Sequence, residues 1–323
     1  MNKYILLKIF IVYYHLLSNY SYKKIYIVYT TMTKLTFRDV PSVMDDYDVF
    51  LFDLWGVVIE GNQVYPGVVD NINKIIKQQK KVFFVTNAPR SRSFLFNKIN
   101  KIWGINATEE MVFSSGEVAI DMILESDKRF GIKNPVVYHL GQEDNDLLNE
   151  LQTPITTNID EANIFLLTLH RDAGKNLNLD EFDDLFKTVV KRNIITICAN
   201  PDLGIVQQGI RRYCSGYFAA KIKQFGGEVI YSGKPHLEIY HAVLNKLPGI
   251  SLKRVLMIGD TFFTDILGAN NLGIDSALVL TGNAAIFHSQ YHTIEEKLQH
   301  LKIAATEQGV MPSFVIQLTT NLL

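Results

Sequence analysis

Short apolar runs that resemble buried strands alternate with segments of helical periodicity along most of the chain after residue 47. Residues 48–52, 81–85 and 255–258 are rich in aromatic and β-branched side chains, as strands buried on both faces are. Residues 68–78, 91–103 and 264–272 carry apolar side chains at helical spacing. Because parallel strands need a crossover between them, this alternation predicts an α/β fold with a doubly wound parallel sheet.

A second strand–helix pattern interrupts the series. It contains predicted strands at residues 136–140, 164–169 and 194–199 and a predicted helix at 179–191. We therefore predict a core domain made of residues 32–119 and 213–323, with an αβ domain inserted at 120–212.

Composition excludes several classes of protein. The chain has 323 residues, of which 47% are hydrophobic, so it can bury a substantial core. Its net charge of -1 argues against a nucleic-acid-binding protein. The two cysteines, Cys198 and Cys214, are too few for a disulfide scaffold or a multi-cysteine metal site and suit a reducing, cytoplasmic compartment.

Residues 1–31 differ from the rest of the chain. They hold seven of the fifteen tyrosines and contain no Asp, Glu, Gly, Ala, Pro or Arg. The apolar run is interrupted by Lys8 and His15, is shorter than the roughly 20 residues of a membrane span, and is followed by no small-residue cleavage site. We expect a non-native or disordered extension, with translation starting at Met32, and no stable membrane association. A membrane-associated leader and an ordered addition are the alternatives.

Polar residues follow the predicted strands, where parallel α/β sheets bind their ligands. Each one alone is a weak signal, but together they form a coherent set. They are Asp53 after the first strand, Thr86, Asn87 and Arg90 after the second, Lys234 in a Gly-Lys-Pro turn, and Asp260 and Asp265 after the strand at 255–258.

This set suits phosphoryl transfer, in which an anionic group must be positioned and neutralised. Asp53 can attack phosphorus as a covalent nucleophile. Asp260 and Asp265, five residues apart across a strand-to-helix turn, can hold Mg²⁺, which prefers oxygen ligands. Lys234 can neutralise the reacting oxygens, and the Thr86 hydroxyl with nearby backbone N–H groups can bind the transferred group.

Several of these residues also have simpler interpretations. Asn87 is equally well explained as a helix cap, and Arg90 as a solvated helix start. Asp202 either selects substrate from the inserted domain or ends a turn after Asn-Pro. Trp55 is either a packed residue that narrows the pocket or a stacking platform for an aromatic substrate. Asp260 and Asp265 can also act as caps without a metal.

The order of the motifs resembles that of the haloacid dehalogenase superfamily of hydrolases. The motifs are D-x-x-G-V, T-N, a large insert, G-K-P and G-D-x-x-x-T-D-I-x-G-A, over roughly residues 47–282. This order, with the A-N-P-D run that ends at Asp202, is similar to the class IIA, NagD-like branch. The resemblance implies a Rossmann-like core with a C2-type cap and hydrolysis of a small-molecule phosphate ester with Mg²⁺. It leaves a homodimer open, since caps of this type form dimer contacts in the family.

The resemblance also implies individual roles. Asp53 is the expected nucleophile, Thr86 the phosphoryl-binding residue and Lys234 the charge clamp. The expected metal ligands are Asp53, the backbone carbonyl of Trp55, Asp260 and Asp265. The predicted substrate-binding residues are Asn87, Arg90 and Asp202.

Trp55 departs from the family pattern. The usual motif is D-x-D-G, and Trp55 occupies the position of the second Asp, which in family phosphatases protonates the leaving oxygen and then activates water. An indole N–H cannot do this, and loss of a general acid or base typically costs about 10²–10⁴-fold in rate. The loss should be smallest for aryl or acyl phosphates, whose leaving groups need no proton. Glu60, Asp202 and His170 are the candidate substitutes.

We therefore predict an Mg²⁺-dependent phosphatase with weakened general acid catalysis. One alternative is a catalytically feeble protein that binds a phosphorylated metabolite. The other is a dehalogenase-type hydrolase, which the presence of both Asp260 and Asp265 disfavours, because dehalogenases of this superfamily do not use the metal.

Overall fold

The computed structural model describes residues 35–174, 177–207 and 210–320, so the expectation for residues 1–31 lies outside the described part of the chain. The strands are β1 (Phe37–Asp39), β2 (Val49–Phe52), β3 (Ile59–Glu60), β4 (Gln63–Val64), β5 (Lys81–Thr86), β6 (Val112–Ser114), β7 (Val137–Leu140), β8 (Ile155–Thr156), β9 (Ile164–Leu167), β10 (Arg171–Asp172), β11 (Ile195–Cys198), β12 (Gly204–Gln207), β13 (Ile210–Tyr213), β14 (Val229–Tyr231), β15 (Val255–Gly259), β16 (Asp275–Leu278) and β17 (Phe314–Gln317).

The α-helices lie between the strands. They are α1 (Val40–Met44), α2 (Val68–Lys77), α3 (Arg92–Asn97), α4 (Ser115–Leu124), α5 (Ser126–Phe130), α6 (Asp183–Lys191), α7 (Ser215–Gln224), α8 (Leu237–Leu244), α9 (Leu267–Leu272), α10 (Ala285–Gln290) and α11 (Ile294–Gln308). Two π-helical turns precede or follow α-helices, at Lys98–Ile102 and Phe262–Ile266. Short 3-10 turns occur at Glu109–Met111, Asp146–Asn149, Leu252–Arg254 and Gly282–Ala284.

Two parallel sheets organise the described residues. The larger has seven strands in the order β1-β17-β16-β15-β2-β5-β6, and the smaller has five in the order β14-β11-β9-β7-β8. Neighbouring strands are parallel throughout both sheets. The α/β fold class predicted from the alternation is confirmed. An antiparallel three-stranded sheet, β10-β13-β12, and the hairpin β3-β4 complete the strand pairing.

Alternate residues of the large sheet serve two different hydrophobic clusters, because successive side chains of a strand point to opposite faces. Phe50 and Phe52 belong to the cluster that contains the apolar side of α2. Val49 and Leu51 belong to a second cluster, which includes α4 and α8 and also inward residues of the five-stranded sheet, such as Ile164. A single buried cluster therefore joins the large sheet, two helices and the small sheet.

The inserted layer, which comprises the five-stranded sheet, its connecting segments and the helices α6 and α7 packed on it, has elements on both sides of the predicted boundary at 212/213. Strand β14 follows that boundary, yet it pairs with β11 of the five-stranded sheet, Thr196 lying opposite Val229. Helix α7 packs on the same sheet through Phe218 and Ile222. Each residue of β14 pairs with a residue of β11 that lies 33 positions earlier in the chain, a separation over which no local pattern reveals the pairing, and the division at 212/213 stays a prediction.

Residues after 280 add elements that the sequence pattern did not reveal. Strand β17 extends the large sheet between β16 and β1, and Val315 lies opposite both Phe37 and Leu278. Helix α11 begins at a capping box in which Thr293 and Glu296 exchange hydrogen bonds. None of the described helices is long and apolar enough to cross a bilayer.

The central strand β2 provides a test of this packing. Leu51 is fully buried, whereas Leu124, at the end of α4, is 47% exposed. We expect Leu51→Ala to lower the free energy of unfolding by about 2–5 kcal/mol, because it removes buried apolar surface and leaves a cavity. Leu124→Ala is the matched control and should change it by less than about 1 kcal/mol. Urea denaturation of both variants measures this, and equal losses would contradict the assignment of Leu51 to the core.

Candidate active site

The carboxyl ends of adjacent strands bring the predicted acidic residues together. In the large sheet β2 lies between β15 and β5, and Phe52 is opposite both Ile258 and Phe84. Asp53, the next residue, donates its backbone N–H to the Ile258 carbonyl at 3.0 Å. Asp260 follows β15 two residues after Ile258, so the two carboxylates emerge side by side from neighbouring strands.

Lys234 lies between two carboxylates. Its Nζ atom is 2.7 Å from Asp53 Oδ1 and 2.7 Å from Asp265 Oδ1, and its side chain is only 1% exposed. Burial alone would lower the pKa of Lys234, but the charges of Asp265 and Asp53 hold it above its usual value. Lys234 is therefore a permanent positive charge at the carboxyl edge of the sheet.

The second oxygen of Asp265 holds the strand-to-helix turn. Oδ2 accepts the backbone N–H groups of Asp260 at 3.2 Å and Thr261 at 3.1 Å. A Cβ atom on Gly259 would overlap the Asp265 side chain, which explains the glycine there. Both oxygens of Asp265 thus have protein partners, and the residue combines the capping role and the charged role that the sequence left open.

Asp260 lies between two backbone loops. Its Oδ2 atom accepts the backbone N–H of Asn283 at 2.7 Å and the Asn283 side-chain amide at 3.0 Å. A Cβ atom on either Gly56 or Gly282 would overlap this oxygen, and both glycines have positive φ angles, +83° and +53°. Both are therefore required by the backbone conformation and by the close approach of the carboxylate.

The three carboxylates fit a hard divalent cation. Asp53, Asp260 and Asp265 are buried, and each offers an oxygen within 4.8 Å of the others. With one ammonium among three carboxylates, two negative charges are in excess. Burial raises the pKa of Asp53 to about 7 against the opposing charge of Lys234. Burial, and then the neighbouring charges of Asp265 and Asp53, raise the pKa of Asp260. A cation bound to these oxygens would remove both penalties.

Asn87 ties three segments together. Its Oδ1 accepts the Lys234 backbone N–H at 2.8 Å, and its Nδ2 donates to the Lys234 carbonyl at 3.0 Å and to Asp202 Oδ1 at 3.0 Å. Both amide protons of Asn87 are donated to protein acceptors. Asn87 therefore holds the Lys234 backbone in place and has no amide proton left to donate to a substrate. Thr86, directly before it, is buried and accepts the Ala88 N–H on its hydroxyl at 3.2 Å.

Asp202 comes from the inserted layer and reaches the site through Asn87. Burial raises the pKa of Asp202, although the hydrogen bond from Asn87 acts in the opposite direction.

Arg90, by contrast, pairs with Asp146 at 2.6 Å, and its guanidinium lies 4.7 Å from the centre of the Phe94 ring. Asp146 also accepts the Ser91 N–H, so this pair holds the start of α3 against the inserted layer.

Trp55 and the candidate substitutes for the missing acid occupy different surroundings. The Trp55 ring is half-buried and packs against the cluster that contains Phe50 and Phe52. Glu60 accepts the Tyr65 hydroxyl at 2.9 Å. Burial lowers the pKa of His170, which keeps its ring neutral at neutral pH. Among the described residues, Asp202 is the one of these three candidates that is hydrogen-bonded to Asn87, which directly follows Thr86.

Asn283 and its loop were not predicted from the sequence. The loop follows β16, and the rule that polar residues after strands line the site would have included Thr281 and Asn283. Tyr65 was also missed, and its hydroxyl accepts the Gly282 N–H at 3.2 Å while donating to Glu60. No local motif marks these residues, since Tyr65 and Gly282 are 217 residues apart and Asn283 lies 22 and 23 residues from its partners Thr261 and Asp260.

Comparison with known proteins assigns the chain to a family. A model described as haloacid dehalogenase-like hydrolase matches residues 50–153, and one described as HAD-hydrolase-like matches residues 231–305. The chain belongs to the haloacid dehalogenase-like hydrolases. The class IIA, NagD-like assignment made from the motifs is confirmed as well.

Relatives of this hydrolase cover most of its length. It is 28% identical to phosphoglycolate phosphatase 2 of Arabidopsis thaliana over 77% of this chain and 87% of the relative. It is 27% identical to the 4-nitrophenylphosphatase of Schizosaccharomyces pombe, over 76% and 87%. A crystal structure of a possible sugar phosphatase of this superfamily from Cytophaga hutchinsonii matches with a TM-score of 0.69 and 25% identity, over 88% of this chain and 98% of that one.

The excess negative charge predicts how this hydrolase responds to pH in EDTA. The pKa of Asp260 is higher in the folded than in the unfolded chain, so the folded state binds more protons and loses stability as pH rises above the unfolded value of 3.8. Asp260→Asn removes that penalty. We expect it to stabilise the metal-free protein by about 0.5–2 kcal/mol at pH 8 and by less at pH 5.

Urea denaturation at both pH values measures the effect. Asp45→Asn, at an exposed position, is the control and should change little at either pH. A variant Asp260→Asn that is destabilised equally at pH 5 and pH 8 would contradict the charge excess.

Proposed function

We propose that this protein is an Mg²⁺-dependent phosphatase that hydrolyses a small phosphorylated metabolite through an aspartyl-phosphate on Asp53. The observation that carries the proposal is the Lys234 ammonium placed 2.7 Å from both Asp53 and Asp265, with Asp260 close enough to complete an all-oxygen cluster. The names of the relatives support the reaction class, since two of them are phosphatases.

The covalent step is an exchange at phosphorus. Lys234 occupies Asp53 Oδ1, so the other oxygen of Asp53 is available to attack. A bond forms between that oxygen and phosphorus, and the bond between phosphorus and the substrate oxygen breaks. In the second step water attacks phosphorus, its proton passes to solvent, and the bond to Asp53 breaks to release inorganic phosphate. Lys234 neutralises the phosphoryl oxygens during both steps.

Mg²⁺, when bound, supplies positive charge between the nucleophile and the anionic phosphoryl group. Asp53 and Asp260, with the Trp55 backbone carbonyl, would hold it. Two backbone amides occupy Asp265 Oδ2, so Asp265 would reach the ion through Oδ1, the oxygen that it shares with Lys234. Thr86 remains the proposed residue that binds the transferred group.

At the position of Trp55 there is no carboxylic acid to protonate the leaving oxygen. Without that proton donor the departing group must accept a proton from solvent or leave as a stable anion. Asp202 is the candidate best placed to compensate, because burial raises its pKa and it contacts Asn87. We therefore propose weakened general acid catalysis and a preference for substrates with good leaving groups.

The acidic cluster, Trp55 and the composition also bear on the alternative functions, the ligand class and the cellular location. The Asp53–Asp260–Asp265 cluster favours phosphoryl chemistry over carbon–halogen hydrolysis, which needs no metal. A feeble phosphometabolite-binding protein stays the second candidate, because Trp55 removes a catalytic group. The net charge of -1 argues against nucleic acid as a ligand. We infer a cytoplasmic setting from Cys198 and Cys214, which are buried and unpaired. A homodimer stays part of the proposal on the resemblance alone.

Hydrolysis of p-nitrophenyl phosphate by the wild-type protein tests the proposal. We expect activity with Mg²⁺, none above background in EDTA, and a loss of more than about 10²-fold in Asp53→Asn, since the nucleophile is removed. Circular dichroism of each sample checks the fold. A folded protein that binds Mg²⁺ but turns over no faster than Asp53→Asn would support the binding role instead.

Trp55→Asp tests the missing acid. We expect it to raise kcat/KM on an alkyl phosphate by about 10-fold or more, and by less on p-nitrophenyl phosphate, whose leaving group needs no proton. Trp55→Asn is the matched control, because it changes size and polarity without adding an acid. Equal gains on both substrates, or equal gains from both variants, would count against the argument.

A further inference from the structure

The residue pair Asn283 and Asp260 has geometry that no assigned role explains. Asn283 is exposed, yet its backbone N–H and its side-chain amide both donate to the same oxygen, Asp260 Oδ2, at 2.7 and 3.0 Å. An exposed asparagine normally hydrogen-bonds to water. Here two of its donors converge on a buried carboxylate of the candidate metal cluster.

Asn283 also acts on the other oxygen of that carboxylate, through Thr261. The second proton of the Asn283 amide goes to Thr261 Oγ1 at 2.7 Å. Because the hydroxyl accepts this proton, its own hydrogen is free to point to Asp260 Oδ1, which lies 3.0 Å away. One side chain therefore sets the hydrogen bonds of both carboxylate oxygens.

The arrangement leaves one open position on Asp260. Oδ2 has two donors, and the backbones of Gly56 and Gly282 lie against it so closely that neither can carry a Cβ. Oδ1 has one donor, Thr261, and so retains a lone pair. A cation shared with Asp53 must use Oδ1, and the plane of the Asp260 carboxylate must be held for it to do so.

The loop that carries Asn283 is itself held in place. The Thr281 hydroxyl donates to the Gly56 carbonyl at 2.6 Å, and Gly282 N–H donates to the Tyr65 hydroxyl at 3.2 Å. These bonds join the loop after β16 to the segment after β2. Asn283 therefore approaches Asp260 from a fixed position.

From this geometry we infer that Asn283 is a positioning residue, which orients Asp260 so that Oδ1 is presented to a divalent cation. The inference rests on the proposed function, because it assumes that the cluster binds Mg²⁺. Groups that hydrogen-bond to a metal ligand fix its orientation, and their loss typically weakens metal binding by about 10–100-fold. Asn283 would act through Asp260 without touching the substrate.

Titration calorimetry with MgCl₂ on protein freed of metal by EDTA and dialysis tests the inference. We expect Asn283→Ala to raise the Kd for Mg²⁺ by about 10-fold or more, since it removes both side-chain donors and keeps the backbone one. Thr261→Val removes only the hydroxyl link, and its effect should lie between that of Asn283→Ala and the wild type. Asn158→Ala is the matched control, because Asn158 donates to the Glu161 carboxylate at 3.2 Å on an exposed surface. It should leave the Kd unchanged.

Two further readouts separate positioning from a structural or substrate role. In EDTA Asn283→Ala and the wild type should show the same circular dichroism spectrum and a single cooperative urea transition, because the substitution changes the metal site and not the fold. In the hydrolysis assay the Mg²⁺ concentration for half-maximal rate should rise, while KM for p-nitrophenyl phosphate stays constant and kcat recovers at saturating Mg²⁺.

Failure of the proposed function and failure of this inference alone would give different results. A wild-type protein that binds no Mg²⁺ would overturn the proposed function and this inference with it. A wild type that binds Mg²⁺ with the same Kd as Asn283→Ala would overturn the inference alone. A raised KM for the phosphate ester at an unchanged metal Kd would also overturn it, because Asn283 would then be a substrate contact.

Discussion

The ammonium of Lys234, held between Asp53 and Asp265, is the interaction on which the rest of the site depends. Three carboxylates buried within a few ångströms of one another would repel strongly in a medium that screens charge poorly. Lys234 offsets part of that repulsion, and the Asn87 amide holds its backbone on both sides. The negative charge that remains favours binding of a cation, and the bound cation in turn favours binding of an anionic substrate.

The site is assembled from segments far apart in sequence because parallel strands end at the same edge. Asp53 and Asp260 lie on adjacent strands but are 207 residues apart in the numbering, and Asn283 comes from the next strand along. The small sheet ends at the same place, since Asp202 follows β11 and Lys234 follows β14. Two sheets that both present carboxyl ends thus supply one site, and the inserted layer takes part in it through Asp202 and the backbone of Lys234.

Much of this could be predicted from sequence, for a physical reason. Buried strands have a strong apolar signature, and the first polar residue after each marks the edge of the sheet, so Asp53, Thr86 and Asp260 were found by position. Lys234 was also expected beside the nucleophile, whereas other contacts were not predicted. Arg90 pairs with Asp146, and β14 with β11, through contacts that depend on how the inserted layer packs rather than on any local pattern. Asn283 was missed because its role depends on two glycines, Gly56 and Gly282, that let separate loops touch.

The hydrophobic cluster shared by the two sheets has a consequence for how the molecule comes apart. Val49 and Leu51 of the large sheet share a buried cluster with Ile164 and Leu166 of the small one, by way of α4 and α8. Melting of either layer would expose the apolar side of the other, so the free energies of the two layers are coupled. A substitution that weakens packing deep in the inserted layer, far from Asp53, would therefore lower the fraction of molecules in which the site around Asp53 is intact.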